Sequence, residues 1–148
     1  MGKRRAALAA LLPAVVLAAC GGNGLTAGQL DARATAICVR TAQATDRIPV
    51  PSTPAQGDRF LKQGLARLRP AVAELHGLAP PDRLRPRYAR AVHLAGQEVA
   101  LIARHERAIG RGQDVADTYR ALQRALTPLL RDENAYWRGL GIPACVRS

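Results

Sequence analysis

Hydrophobic residues recur every three or four positions along most of the chain after residue 25, which places them on one face of a helix. Four such stripes follow one another, separated by short segments that contain proline or glycine. The first two consist of Leu30, Ala34, Ile37, Thr41, Ala44 and Ile48, and of Leu61, Leu65, Leu68, Val72 and Leu75. The next two consist of Leu84, Tyr88, Val92, Ala95, Val99 and Ile102, and of Val115, Tyr119, Leu122, Leu126, Leu129, Tyr136 and Leu140. The pattern predicts four amphipathic helices.

Residues that favour helix starts stand where the stripes begin. The expected caps are Thr26 with Gln29, Thr53 with Gln56, and Asp114. The first two pairs have the spacing of a capping box, in which each partner's side chain binds the backbone N–H of the other. The third helix begins within residues 82–86, and Gly139 and Gly141 end the fourth.

Two prolines, Pro70 and Pro128, lie inside the second and fourth stripes. Each is expected to kink its helix, because proline lacks the N–H that a helix interior uses and its ring disturbs the preceding turn. Similar helix lengths and short connections favour antiparallel neighbours. We therefore predict an all-α fold, an antiparallel up-down-up-down four-helix bundle with kinks at both prolines.

The N-terminus has the order of a bacterial export signal. Residues 3–5 are basic, and residues 6–17 form an apolar segment that is short for a membrane span. Leu17-Ala18-Ala19-Cys20 follows, with small residues before the cysteine. This order resembles a bacterial lipoprotein signal, in which the peptide is cut before the cysteine and the cysteine carries acyl chains such as palmitate. The resemblance implies a signal peptide over 1–19, lipid on Cys20, a glycine-rich tether over 20–25 and a bundle domain over 26–148.

A transmembrane anchor and a plain secretory peptide are the alternatives. An anchor needs roughly 20 apolar residues, whereas Pro13 interrupts this segment and Gly21 follows soon after it. A secretory peptide leaves Cys20 without a role. We therefore expect a lipid anchor on the outer face of the cell membrane. In many diderm bacteria an aspartate two positions after the lipid cysteine marks retention in the inner membrane. Gly22 occupies that position here, so in a diderm host the sequence does not exclude an outer-membrane location.

Cys38 and Cys145 are the two cysteines that remain once Cys20 carries lipid. An even remainder in an oxidising compartment predicts one disulfide, and two free thiols are the alternative. A helix that continued straight on would keep Cys145 out of reach of Cys38. The bridge therefore requires the tail to turn back near Gly141 and run beside the first helix.

The formal net charge is +11 over 148 residues, and removing the three basic residues of the signal leaves 11 − 3 = +8. Most of this excess is attributed to an arginine-rich composition. A basic domain beside a membrane is nevertheless attracted to anionic surfaces, so anionic lipid or a cell-wall polymer is a candidate partner through the surface arginines. Nucleic acid is not expected, because the chain lacks an aromatic platform for stacking bases.

Motifs that carry chemistry are missing from the sequence. GxSxG, HExxH, P-loop and GxGxxG patterns do not occur, and neither does the Glu-x-x-His of di-iron bundles. His76, His93 and His105 are predicted at the surface, so no catalytic residue, metal ligand or cofactor-binding residue is assigned. Glu98, on the same face as His105, is interpreted as an ordinary solvated charge.

The last turns of the fourth helix carry further polar and aromatic residues. Asp132 and Glu133 are expected to pair with Arg131 or Arg138, and the sequence gives no reason to expect buried or facing carboxylates. Tyr119 and Tyr136 are assigned to core packing. Trp137, one position off the stripe, is expected to cover the bridged C-terminal tail.

A family resemblance extends over most of the mature chain. Ala36-Ile37-Cys38, Leu78-Ala79-Pro80-Pro81 and the Gly-Ile-Pro-Ala-Cys of residues 141–145 resemble small secreted lipoproteins of actinobacteria. The resemblance implies the location, the bundle and the disulfide, and no activity.

The sequence thus predicts a location and a fold, and three kinds of function compete. The first is a non-enzymatic interaction or envelope-associated module. A second is a bundle whose prolines splay the helices and open a cavity for an apolar or anionic ligand. The third is an enzyme, which the missing motifs disfavour. An open apolar pocket with convergent arginines would favour ligand binding, and two or more polar groups of strongly shifted pKa in one cleft would favour an enzyme.

Overall fold

The computed structural model describes residues 24–147, and these form a four-helix bundle. The helices are α1 (Ala27–Asp46), α2 (Pro54–His76), α3 (Arg85–Gly110) and α4 (Val115–Leu140), followed by a short 3-10 helix, Pro143–Cys145. Over this range the chain contains no strand. The predicted all-α four-helix bundle is confirmed. The predicted signal peptide and the lipid site at Cys20 lie outside the described residues.

Two of the three expected caps are present. The Thr26 hydroxyl accepts from the Gln29 N–H at 3.2 Å, and the Gln29 side chain accepts from the Thr26 N–H at 2.9 Å, which is the predicted capping box. Asp114 accepts from the Asp117 N–H at 2.8 Å and caps α4.

The capping box predicted at Thr53 and Gln56 is wrong. The Thr53 side chain makes no capping hydrogen bond. The Gln56 side chain instead accepts from the backbone N–H of Ser52 at 2.8 Å, one residue further upstream. The entry to α2 is therefore stabilised by a glutamine that reaches past the expected cap.

Gly141 marks the end of α4 and the reversal of the chain. Its φ of 73° lies in the left-handed region, which glycine adopts without strain. Gly139, predicted as a second terminator, still lies within the helix. The tail after Gly141 contacts both α4 and α1, so the predicted return of the tail is confirmed.

Buried hydrophobic side chains form two clusters. The disulfide core contains residues from every helix and the tail: Leu30, Ala34, Ile37, Ala71, Leu75, Tyr88, Ala91, Val92, Trp137, Ile142 and Cys145. The distal core contains Leu61, Leu65, Leu68, Ile102, Ala103 and Leu122, which belong to α2, α3 and α4. The buried residues of α1 thus pack into the disulfide core only, and the part of α1 after Cys38 contributes no buried residue to either core.

Contacts between helix ends tie the bundle together. The Leu25 N–H donates to the Ala79 carbonyl at 2.8 Å. Arg87 donates to the Gly139 carbonyl at 2.9 Å, and the Tyr119 hydroxyl donates to the Gly57 carbonyl at 2.9 Å. The up-down-up-down order and the kinks at Pro70 and Pro128 stay predictions.

Residues 24–147 contain the packing that stabilises this fold. Both cores and the bridge between Cys38 and Cys145 lie within them. A chain that begins at Gly21 therefore retains both cores and the bridge. Within these residues, no helix is both long and apolar enough to cross a membrane.

Candidate functional site

A cleft of about 600 Å³ runs between α1 and α2, with α3 and the tail contributing to its walls; we call it the α1–α2 cleft. Its lining is mainly apolar. The lining residues include Ile37, Thr41, Ala42, Thr45, Asp46 and Ile48 on the α1 side, Phe60, Leu61, Gly64, Leu68, Ala71, Val72 and Leu75 on α2, and Ile102 on α3. Ala42 and Asp46 are exposed, so the cleft is open to solvent. Its volume falls within the roughly 300–1,000 Å³ of ordinary ligand pockets.

Small side chains on facing helices account for the cleft. After Ile37, α1 presents Thr41, Ala42 and Thr45 where a packed bundle would place larger apolar residues. On α2 the cleft is lined by Gly64, where an added Cβ would meet nothing within 4 Å. The space between the C-terminal half of α1 and the distal core is therefore unfilled.

The threonines of the cleft use their hydroxyls within their own helix. Thr41 donates to the Ile37 carbonyl at 2.8 Å, and Thr45 donates to the Ala42 carbonyl at 2.8 Å. Their polar atoms are thus already satisfied. The α1 wall of the cleft consequently behaves as a more apolar surface than its sequence indicates.

A partly buried ion pair lies at the cleft. Nη1 of Arg147 is 2.6 Å from Oε1 of Glu98 and 2.5 Å from Oε2. The Glu98 side chain is 7% exposed, whereas that of Arg147 is 32% exposed. The solvated charge predicted at Glu98 is therefore wrong. The carboxylate lies on the inward face of α3, and the guanidinium stands between it and solvent.

The tail that carries Arg147 is held at several points. The Cys38–Cys145 disulfide joins it to α1, with the two Cα atoms 5.1 Å apart, which confirms the predicted bridge. Asn134 donates to the Arg147 carbonyl at 2.7 Å and accepts from the Arg147 N–H at 2.9 Å. These contacts fix the Arg147 backbone before any ligand arrives.

Burial governs the protonation of Glu98. Removal from water disfavours the charged carboxylate and raises its pKa to about 7, while Arg147 opposes the shift. The nearby Glu133 carboxylate raises the pKa of Glu98 further. Near neutral pH, Glu98 can therefore gain or lose its proton.

Glu133 is a second buried carboxyl, and its predicted pairing with Arg131 or Arg138 is wrong. Its Oε1 accepts from the Trp137 indole at 2.9 Å, and its Oε2 has no hydrogen-bond partner among residues 24–147. Burial raises the pKa of this carboxyl above its usual range. Arg131 pairs with Asp132 at the surface, which confirms the pairing predicted for Asp132. Glu133 does not line the cleft, so Glu98 is the carboxyl of the two that a ligand can meet.

Trp137 and the three histidines considered in the sequence analysis lie outside the cleft. Trp137 is 1% exposed and packs in the disulfide core with the tail residues Ile142 and Cys145, edge-on to Tyr88. His76 and His93 are exposed, and His105 is half-buried beside the Leu101 carbonyl. In residues 24–147, no three His, Cys, Asp or Glu side chains come together as metal ligands would.

Comparison with protein-family models, with characterised proteins and with solved structures finds no match to this chain. The function must therefore be argued from the cleft and its ion pair.

Proposed function

We propose that this protein is a lipid-anchored, extracytoplasmic helical bundle without enzymatic activity, which binds an apolar ligand in the α1–α2 cleft. The observation that carries the proposal is the open, apolar cleft of about 600 Å³ with one polar pair at its wall. Pockets for small ligands have this composition, since apolar walls supply affinity and a few polar groups set orientation. The ligand is proposed to be small, because the cleft lies within one domain.

The apolar lining gives the binding its driving force. Each Å² of apolar surface removed from water contributes roughly 25 cal/mol. The cleft already exists between α1 and α2, so a ligand does not have to separate packed side chains to enter. Binding therefore keeps most of the free energy of burial, less the cost of immobilising the ligand.

A direct test is titration of the chain from Gly21 onward with N-phenyl-1-naphthylamine, an uncharged probe whose fluorescence rises in apolar surroundings. Saturable binding is expected. Gly64→Leu should lower the affinity by about tenfold or more, because Gly64 lines the cleft, a Cβ added there meets open space, and the rest of the side chain takes up volume that the probe would occupy. Gly28→Leu is the matched control, since Gly28 is exposed on α1 and also has open space at its Cβ. Absence of binding, or equal loss in both variants, would refute the ligand site.

The proposed anchor rests on Leu17-Ala18-Ala19-Cys20. Two or more acyl chains anchor a protein stably, whereas one holds it only marginally. Cells that express the full chain should incorporate radiolabelled palmitate at Cys20, and globomycin should block removal of residues 1–19. Cys20→Ser is the control that loses the label. An unlabelled product released into the medium would contradict the anchor.

A basic surface supports a secondary attraction to the membrane or cell wall. The charge of 11 − 3 = +8 that is expected after removal of the signal favours anionic lipid or polymer, by about 1 kcal/mol for each basic residue close to the surface. Such attraction is screened by salt. Co-sedimentation with vesicles that contain phosphatidylglycerol, compared with phosphatidylcholine vesicles over a salt series, tests it.

A further inference from the structure

The ionic groups that line the α1–α2 cleft indicate which charge its ligand would have. Its lining contains three of them: Asp46, Glu98 and Arg147. Glu98 is almost fully covered, and Arg147 is the more exposed member of the pair. A ligand that enters from solvent therefore meets the guanidinium before it meets the carboxylate.

Arg147 retains hydrogen-bonding capacity after pairing with Glu98. Both contacts to Glu98 come from the same atom, Nη1. A guanidinium has further N–H donors on its other nitrogens, and their planar fork matches a carboxylate. The outer edge of Arg147 can thus donate to a second carboxylate while the inner edge stays on Glu98.

We propose that the ligand is a single-chain anionic amphiphile, whose carboxylate binds Arg147 and whose hydrocarbon chain lies along Leu68, Leu61 and Phe60. This inference rests on the proposed ligand-binding function. The part of α1 that lines the cleft, from Ile37 to Asp46, is about 14 Å long by helical rise, which suits an elongated chain rather than a compact molecule.

The position of the other charges orients the amphiphile. Asp46, at the end of α1, repels a carboxylate, so the head is placed at Arg147 and the chain extends away from it. Arg147 is held by Asn134 and by the nearby disulfide. Little side-chain or backbone freedom is therefore lost when the head group binds.

Protonation of Glu98 compensates for the negative charge that the ligand carboxylate brings to Arg147. The charged groups near Glu98 are Arg147 from the tail and Glu133 from α4, and Asp46 of α1 lines the same cleft; the residues of α2 that line it are uncharged. Burial already brings the pKa of Glu98 to about 7. When an anionic head binds Arg147, Glu98 takes a proton, and the site avoids two carboxylates on one guanidinium. Binding is consequently tighter at pH 6 than at pH 8.

The test is displacement of N-phenyl-1-naphthylamine from the chain that begins at Gly21 by dodecanoate, dodecanol and dodecylamine. At pH 7, dodecanoate should displace the probe at a concentration about tenfold or more below that of dodecanol, as a charge-assisted hydrogen bond provides. Dodecylamine should be the weakest competitor. Arg147→Gln should remove the preference for dodecanoate, and Arg124→Gln, an exposed control on α4, should retain it.

A second variant keeps the inference testable if Arg147→Gln fails to fold. Glu98→Gln imitates the protonated carboxyl, so it should bind dodecanoate more tightly than the unmodified chain at pH 8 and lose the pH dependence. Equal displacement by dodecanoate and dodecanol, a preference that survives Arg147→Gln, or a preference for dodecylamine would overturn the inference while the probe still binds. If the probe does not bind at all, the proposed function itself fails.

Discussion

Replacing Glu98 by glutamine should remove most of one pH-dependent contribution to the stability of the bundle. The Glu98 carboxyl has a pKa of about 7 in the folded protein, against 4.5 without the influence of the fold. The folded state therefore holds this proton more tightly than the unfolded state. The sign follows by linkage. The contribution of Glu98 to the free energy of unfolding is largest below pH 4.5, falls as the pH rises towards 7, and is constant above that.

The size of the effect follows from the same two values. Each tenfold difference in proton affinity corresponds to about 1.4 kcal/mol, so the pKa of about 7 against 4.5 costs roughly 3 kcal/mol once Glu98 is ionised in both states. Most of this loss, about 2–3 kcal/mol, is expected between pH 5 and pH 8. Glutamine cannot ionise, so Glu98→Gln should lack this loss. Removing the partner of Arg147 adds a cost that does not depend on pH over this range.

The assay is urea unfolding of both proteins at pH 5 and pH 8, followed by circular dichroism. The quantity compared is the change in unfolding free energy between the two pH values, so contributions from groups that do not interact with Glu98 cancel. Glu74→Gln is the control, since Glu74 is an exposed carboxylate paired with Arg40. Parallel pH dependences for the unmodified chain and Glu98→Gln would show that Arg147 keeps Glu98 ionised, and the argument from burial would be refuted.

Three further predictions concern the bridge, the cleft and the ion pair. Replacing Cys38 and Cys145 by alanine should lower the unfolding free energy by about 5 kcal/mol, since the bridge spans 107 residues, and a loss below 1 kcal/mol in urea unfolding would contradict this. Gly64→Ala should raise stability by about 0.5–1 kcal/mol, because alanine favours the helix and its Cβ meets open space; a lower melting temperature would count against an empty cleft. Replacing Glu98 and Arg147 together by leucine should cost less stability than replacing either alone, which a double-mutant cycle by urea unfolding measures. Additive losses would mean that the two side chains are not coupled.

The helices could be predicted from the sequence because their signals are local. A stripe at helical spacing and a capping residue lie within one segment, so Thr26 with Gln29 and Asp114 identify real helix starts. The failure at Thr53 shows the limit of this reasoning. Ser52 and Thr53 are adjacent, and the sequence does not decide which backbone N–H the Gln56 side chain will bind.

The burial of Glu98 can be predicted from the sequence, although we interpreted this residue as a solvated charge. Glu98 comes three residues after Ala95 and four before Ile102, and both of those belong to the apolar stripe of α3. That spacing places a carboxylate on the inward face. Its partner could not be found in this way, because Arg147 reaches Glu98 only through the reversal at Gly141, which brings together residues 49 positions apart.

The sequence also suggested a cavity, for a different reason from the one that the structure provides. Prolines were expected to splay the helices, yet neither Pro70 nor Pro128 lines the α1–α2 cleft. The cleft lies where α1 presents Thr41 and Thr45 opposite Gly64. Small residues reduce the apolar bulk of a hydrophobic stripe without interrupting its spacing. A cavity that arises in this way is harder to recognise in a sequence than a proline. An open apolar pocket with convergent arginines would favour ligand binding; among the described residues the pocket is present, and its lining includes a single arginine, Arg147.

Two features of the cleft oppose stability, and both favour binding. Small residues leave space that larger apolar side chains would fill with a gain in packing energy. Glu98 is buried and its partner Arg147 is partly covered, and such pairs are often no more stable than apolar residues of the same size. A bundle selected for stability alone would pack this region with leucine and isoleucine, as its two cores do. Departures from packing rules that coincide at one place are typical of functional sites. The small residues of α1 and the guanidinium of Arg147 meet at this cleft. That coincidence is the strongest reason to seek the function of this protein there.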